Sequence, residues 1–310
     1  MASKSFEIVI LCGAISPERE VSIRSGRNVA ELLSRHYPVR LIELNEDKLP
    51  PGLDPETSLI FPLVHGDFGE DGRLQRLLDA RGFTYVGSGT ESMELTIDKS
   101  RAKKRVQNCS VPVLAEIAFP GDKRVDFTFA AACKRLRSSK LFLKPRDKGS
   151  SIGCHRICDE ESWARYVLPI GTGQWLLEPL CAGRDLTIGM LQGEPLAIVE
   201  IVPVHEFFDY ESKYTPNGAR HICPAPLDDV LTRTITNHAR EIFHICHCRD
   251  WCRIDFLLDD TGKIYFLEVN TVPGFTKGSL YPESALGAVI GLDEVLCKIV
   301  APALHRLIAK

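Results

Sequence analysis

No stretch of this sequence is apolar for long enough to span a bilayer. Its opening residues, Met1-Ala-Ser-Lys-Ser-Phe6, lack the apolar core and small-residue cleavage site of a secretion signal. Both absences point to a cytoplasmic protein. A basic excess is missing too: 38 Lys and Arg stand against 41 Asp and Glu, a net charge of −3 that argues against a nucleic-acid partner. There is no internal repeat, no low-complexity tract and no GxxxxGK[ST] phosphate loop. The 11 cysteines are odd in number and scattered over 310 residues, so they form no disulfide framework. The densest group is His244, Cys246, His247, Cys248 and Cys252. It straddles the end of a helix and the start of a strand, which spreads ligands that zinc would need gathered, so buried apolar thiols are the expectation.

What remains is an ordinary globular composition, 44% hydrophobic and 25% charged, long enough for two or three subdomains. The first third alternates strand and helix. Glu7–Cys12, Val39–Leu44 and Leu59–Val64 have strand patterns, while Ser22–Arg35 and Asp71–Arg81 have helical spacing. That alternation predicts a parallel α/β sheet with ligands beyond the carboxyl ends of its strands. Later come strand candidates at Leu141–Pro145, Trp175–Pro179, Thr187–Gln192 and Pro195–Pro203. Helices are expected at Leu231–His247 and Leu292–Ile308. Boundaries are placed near residues 98 and 183, giving units 1–97, 98–182 and 183–310.

Three places carry chemistry. Two strands joined by Asp259-Asp-Thr-Gly262 put Arg253, Asp255 and Leu257 on one face, and Glu268 with Asn270 on a face of the next strand. A two- or four-residue turn sets Arg253 opposite Glu268 with Asp255 diagonal. Two carboxylates and an amide oxygen suit Mg²⁺ or Mn²⁺ bridged to nucleotide phosphates, although a solvated strand face with a cross-strand ion pair has the same pattern. Next, Lys144-Pro-Arg-Asp-Lys-Gly149-Ser150-Ser151-Ile-Gly153 follows a strand. Its backbone N–H groups can turn toward phosphate, but a plain surface hairpin fits as well. Last, His65-Gly-Asp-Phe-Gly-Glu-Asp-Gly72 lies where an α/β sheet binds substrate, or is a turn opening a helix.

Taken together and in order, these segments resemble the D-alanine–D-alanine ligase family across nearly the whole chain. Further matches are Ser16-Pro-Glu18-Arg-Glu-Val-Ser22, Asp98-Lys99, Phe208-Asp-Tyr-Glu-Ser-Lys213-Tyr214, Arg253-Ile-Asp255 and Glu268-Val-Asn270-Thr-x-Pro-Gly274-Phe-Thr-x-x-Ser279-Leu280. The resemblance implies an ATP-grasp fold, α/β at its N-terminus and α+β beyond, that joins two D-alanines for peptidoglycan precursor synthesis through an acyl phosphate. It implies ATP and two Mg²⁺ or Mn²⁺ as cofactors and a homodimer formed through the N-terminal domain. By residue, Lys99, Lys144, Ser150, Ser151 and Lys213 are expected at the nucleotide or its phosphates, and Glu178 and Asp185 at the adenosine. Asp255, Glu268 and Asn270 are expected to hold the metals. Glu18 and His65 should receive the first D-alanine, Ser279 and Leu280 the second, and Arg253 with the Gly274 amide the oxyanion. Ser150, Tyr214 and Glu18 would form the triad that closes a loop over the site.

The chain departs from the family pattern at Ala14, Arg76, Asp185, Cys252 and Phe275, none of them a catalytic group. A D-alanine–D-lactate ligase, another ATP-grasp amino-acid ligase and a non-catalytic nucleotide-binding regulator are the competing readings. Lys213 and Tyr214 favour the first D-alanine reading over the lactate enzyme, and Asp255, Glu268 and Asn270 disfavour the regulator.

Overall fold

The computed structural model describes residues 6–121, 126–203 and 218–310. Lys213 and Tyr214, expected at the phosphates and in the closing triad, lie outside the described residues. In chain order, β1 (Glu7–Gly13), α1 (Arg19–Leu33), β2 (Val39–Leu44), β3 (Ser58–Pro62), α2 (Asp67–Glu70), α3 (Arg73–Ala80), β4 (Thr84–Tyr85) and α4 (Thr90–Thr96) come first. The strands form a parallel sheet of order β2-β1-β3-β4. Ile8 to Leu11 and Leu59 to Phe61 are fully buried, as strands covered on both faces must be.

Next follow α5 (Lys99–Val106), β5 (Ile117–Pro120), α6 (Phe129–Leu136), β6 (Leu141–Pro145), β7 (His155–Ile157), α7 (Glu160–Tyr166) and β8 (Gln174–Pro179). Here the sheet is antiparallel, β5-β8-β6-β7. The rest comprises β9 (Gly183–Leu191), β10 (Glu194–Pro203), β11 (Ala219–Ile222), α8 (Asp229–Ile245), β12 (Trp251–Asp259), β13 (Ile264–Asn270), α9 (Leu280–Gly287) and α10 (Leu292–Ile308). Its sheet is antiparallel as well, β11-β10-β9-β12-β13. Two helices tie the layers together. Ala102 and Val106 of α5 enter the core of the third sheet, and Val295, Leu296 and Ile299 of α10 enter that of the first. No helix among the described residues is long and apolar enough to cross a membrane.

The helix expected over Asp71–Arg81 is α3, Arg73–Ala80, and a separate short helix, α2, precedes it. Gly72, at a φ of 90° that no helix contains, sets the start of α3 and separates it from α2. Cys246, Cys248 and Cys252 pack into the core of the third sheet. Burial, with Cys248 alongside, pushes the Cys252 thiol well above its usual range, so it is a poor ligand and nucleophile. Among the described residues, no three His, Cys, Asp or Glu side chains gather as a metal site.

Helix α9 ends in a Schellman motif: Ile290 N–H donates to Ala285 O at 3.0 Å and Val289 N–H to Leu286 O at 2.9 Å. The position that glycine usually takes is occupied by Val289, at φ 60° and 92% exposed. A β-branched residue there is strained and gains almost no burial. Val289→Gly is therefore expected to stabilise the protein by roughly 1 kcal/mol, the left-handed penalty less glycine's added unfolded-state entropy. An unchanged or lower denaturation midpoint would contradict this.

Candidate active site

Two cavities meet between the three sheets. The first, of about 510 Å³, is lined by Glu18, His65, Glu70, Lys99, Ser150, Arg253, Glu268, Asn270, Gly274, Ser279 and Leu280. The second, of about 560 Å³, is lined by Lys99, Lys144, Ser151, Glu178, Leu180, Asp185, Asp255, Phe256 and Glu268. Lys99, Lys148, Gly149 and Glu268 belong to both, so one wall is common to two chambers.

Glu268 of that wall stands on β13, paired with β12. Asp255 stands directly opposite Glu268, and Arg253 opposite Asn270. This corrects the expected pairing of Arg253 with Glu268, for two reasons. The connection is a three-residue loop, with Asp259 N–H donating to Lys263 O at 2.9 Å and Gly262 at φ 84° closing it. A bulge between Asp255 and Phe256 then leaves Leu267 as an extra residue on β13. Each irregularity shifts the register by one. The sum is even, so the side chains keep the expected face while their partners change.

Two like charges facing each other across a ladder repel unless cations intervene. Here Arg253 reaches Asp255 at 3.0 Å, and Lys99 reaches Glu268 at 3.1 Å. Thr187 Oγ1 donates to Asp255 at 2.5 Å, and Val272 N–H donates to Asn270 Oδ1 at 3.0 Å, fixing that amide oxygen. An all-oxygen donor set with surplus negative charge fits a hard divalent cation.

The second chamber has a buried charge cluster at its base. Glu178 accepts an ion pair from Lys144 at 2.6 Å and another from Lys103, which also reaches Glu116 at 3.0 Å. Burial alone would raise the Glu178 carboxyl; the ammonium groups of Lys144 and Lys103 overcome it and hold the carboxyl below its usual range. Burial would lower Lys144, but Glu178 raises it instead. Lys103 was not foreseen. The available signal was its place one helical turn after Lys99 on α5.

The loop after β6 bridges to the first sheet. Ser150 and Ser151 adopt φ of 56° and 55°, a left-handed run that turns backbone amides to one side, as anion-binding loops do. Ser150 Oγ donates to Glu18, Lys148 pairs with Asp67, and Lys99 Nζ donates to Lys148 O at 2.6 Å. At the loop's start, Arg146 clamps Asp98 through Nε at 2.6 Å, while Asp98 caps α5. Burial would raise the Asp98 carboxyl, yet Arg146 and the cap hold it below normal.

His65 is buried, with Nδ1 3.5 Å from Glu70, and its Nε2 has no hydrogen-bond partner among the described residues. Gly69 is needed where it stands, since a Cβ there would lie 1.8 Å from Val64 O. On the opposite side, Ser25 Oγ accepts from Phe275 N at 3.0 Å and Asn28 Nδ2 donates to Phe275 O at 2.7 Å, so α1 clamps the strand-to-helix turn that carries Gly274. Ser279 Oγ accepts from Thr276 N at 2.9 Å.

A family model described as the D-ala D-ala ligase C-terminus matches residues 106–301. The chain is similar to the D-alanine–D-alanine ligase of Syntrophotalea carbinolica, 35% identical over 305 residues that cover 97% of each chain. This chain belongs to the D-alanine–D-alanine ligase family. Among solved structures, the VanG D-Ala:D-Ser ligase of Enterococcus faecalis aligns with a TM-score of 0.82 at 26% identity, covering 97% of this chain and all of its own. The D-alanine–D-alanine ligase of Bacillus anthracis aligns with 0.83 at 26%, covering 98% of this chain. The fold is accordingly the family's ATP-grasp α/β architecture.

The departures from the family pattern have structural readings. Ala14 sits at φ 67°, where glycine would be easier. Arg76 pairs with Glu94 on the surface. Asp185 still lines the second chamber. Cys252 is core, and Phe275 is fully buried against Trp251 and Tyr281.

Proposed function

We propose that the chain is an ATP-dependent carboxylate–amine ligase that joins two D-alanines into D-alanyl-D-alanine for peptidoglycan precursor synthesis. The observation that carries this reading is the common wall. Asp255 and Glu268 stand opposed where the chamber of Glu178 and Lys144 meets the chamber of Glu18 and Arg253. A phosphoryl group held in the second chamber can reach a carboxylate held in the first. Family membership supports the same reading.

In this scheme ATP lies in the second chamber, with Lys144, Glu178 and Asp185 around the adenosine and Lys99, Ser150 and Ser151 toward the phosphates; Lys213 is assigned there from its sequence motif. Asp255, Glu268 and Asn270 would hold two Mg²⁺ or Mn²⁺. These ions would neutralise charge on the transferring phosphoryl group. In the first chamber Glu18 receives the ammonium of the first D-alanine, and the unpartnered His65 Nε2 faces its pocket. Phosphorylation of that D-alanine's carboxylate turns a poor leaving oxygen into a good one. The second D-alanine, its carboxylate at Ser279 and Leu280, attacks the acyl carbon. Arg253 and the Gly274 N–H stabilise the resulting oxyanion. The Ser150–Glu18 bond holds the loop to the first sheet and keeps water from the acyl phosphate; Tyr214 is assigned to the same triad from its sequence motif alone.

The units proposed are 1–97, 98–182 and 183–310, each carrying one sheet. A homodimer in the cytoplasm completes the proposal, and sizing should find twice the 34.5 kDa of the chain. The likeness to a D-Ala:D-Ser ligase supports a second reading, with D-serine as acceptor. ADP release from ATP and Mg²⁺ tests the reaction. D-alanine should start it and L-alanine should not; release indifferent to the amino acid would contradict the proposal.

A further inference from the structure

A histidine and a carboxylate at the acceptor side of the first chamber have no part in the scheme above. His221, on edge strand β11, lines the chamber with Arg253, Gly274, Ser279 and Leu280. Its Nδ1 lies 3.0 and 2.9 Å from the two carboxylate oxygens of Glu283. Glu283 is in the first turn of α9, the helix whose N-cap is Ser279. Its backbone is held as well, because the Cys223 thiol donates to Glu283 O at 3.3 Å. A carboxylate engaging Nδ1 fixes both the ring's orientation and its tautomer. The proton stays on Nδ1, and Nε2 becomes the accepting atom. At neutral pH an amino acid reaches the site as an ammonium ion, which has no lone pair to attack with.

We propose that His221 accepts the proton of the second substrate's ammonium, with Glu283 as its positioning residue; this rests on the ligase reading above. The step balances. One ammonium proton passes to His221 Nε2, and the nitrogen lone pair forms the C–N bond. The bond from the acyl carbon to the phosphate oxygen breaks, and phosphate departs with the electron pair. The nitrogen's second proton leaves with the phosphate as the amide forms. Glu283 is in direct contact with the ring, and Arg253, Lys99, Glu18 and Glu268 are charged groups that line the same chamber. On the neighbouring strand Glu200 is engaged by Arg184 at 2.7 Å, and the Cys223 thiol lies beside the pair.

Hydroxylamine separates this role from the rest of the reaction, because it is already neutral at pH 7 and needs no proton acceptor before it attacks an acyl phosphate. His221→Asn should lower dipeptide formation about 10²-fold or more at neutral pH, with the deficit shrinking as pH rises and the amine ionises unaided. Alanyl hydroxamate formation should be little changed, which also shows that the variant is folded. Glu283→Gln should lower dipeptide formation and leave alanyl hydroxamate formation little changed, since the carboxylate that fixes the ring's orientation and tautomer is gone. Wild-type dipeptide rates and pH profiles in both variants would overturn the proposal, as would equal losses of dipeptide and hydroxamate. If the wild type makes neither product from ATP and D-alanine, the ligase reading itself fails.

Discussion

Replacing Glu178 with alanine is expected to destabilise the protein by about 3–5 kcal/mol, the usual cost of leaving a buried charge without its partner. The side chains of Glu178, Lys103 and Lys144 are 3%, 3% and 9% exposed, so water cannot take over the lost pairing. Lys103 keeps Glu116 at 3.0 Å, but Lys144 loses the carboxylate it pairs with at 2.6 Å. Glu178→Gln retains the shape and one acceptor and should lie between the variant and wild type. The sign of the pH dependence follows from the depressed carboxyl. The stabilisation is fully present above the unfolded-state value, roughly pH 4, and is lost as pH falls through the lower folded value. Chemical denaturation of wild type and Glu178→Gln from neutral to acidic pH should show a gap that narrows on acidification. A constant gap, or none at neutral pH, would mean that the cluster does not stabilise this unit. Nucleotide affinity should fall in both variants, because the same side chains line its chamber.

The largest effect on activity is expected at Glu268. Glu268→Ala removes the carboxylate of the common wall, which stands opposite Asp255, and should lower turnover about 10³-fold, the scale on which losing one preorganised charge-stabilising group acts. Stability should change little, since the loss of the Lys99 contact at 3.1 Å is offset by relief of the repulsion from Asp255. A metal role further predicts that the Mg²⁺ concentration needed for half-maximal rate rises in weaker variants such as Glu268→Gln. Near-wild-type turnover in Glu268→Ala would take this residue out of the phosphoryl-transfer site.

How much of this was legible in the residues depended on what each signal measures. Strands β2 and β6 fall where the apolar pattern places them, as does helix α10, because each is a short periodic run with clear punctuation. The faces of β12 and β13 were readable, since alternation fixes parity. Their pairing was not, because it depends on a three-residue loop and a bulge that no alternation reveals. Short elements such as β5 and β7, of four and three residues, are too brief to show a period. Lys103 and the His221–Glu283 pair escaped notice for another reason. Lys103 meets Glu178 across 75 residues and His221 meets Glu283 across 62, and tertiary proximity of that kind is invisible in local spacing. Recognition of the family motifs supplied the roles that spacing left open, and the geometry then added the buried triad of Glu178 and its two lysines.

The central claim is that this site couples ATP cleavage to amide formation between two D-alanines. Incubation with ATP, Mg²⁺ and an equimolar mixture of D-alanine, D-serine, D-lactate and L-alanine, with products resolved by mass, tests it most directly. D-alanyl-D-alanine should predominate, accompanied by one ADP and one phosphate per bond formed. A product lacking D-alanine at its amino end, or ADP released with no new amide or ester, would contradict it.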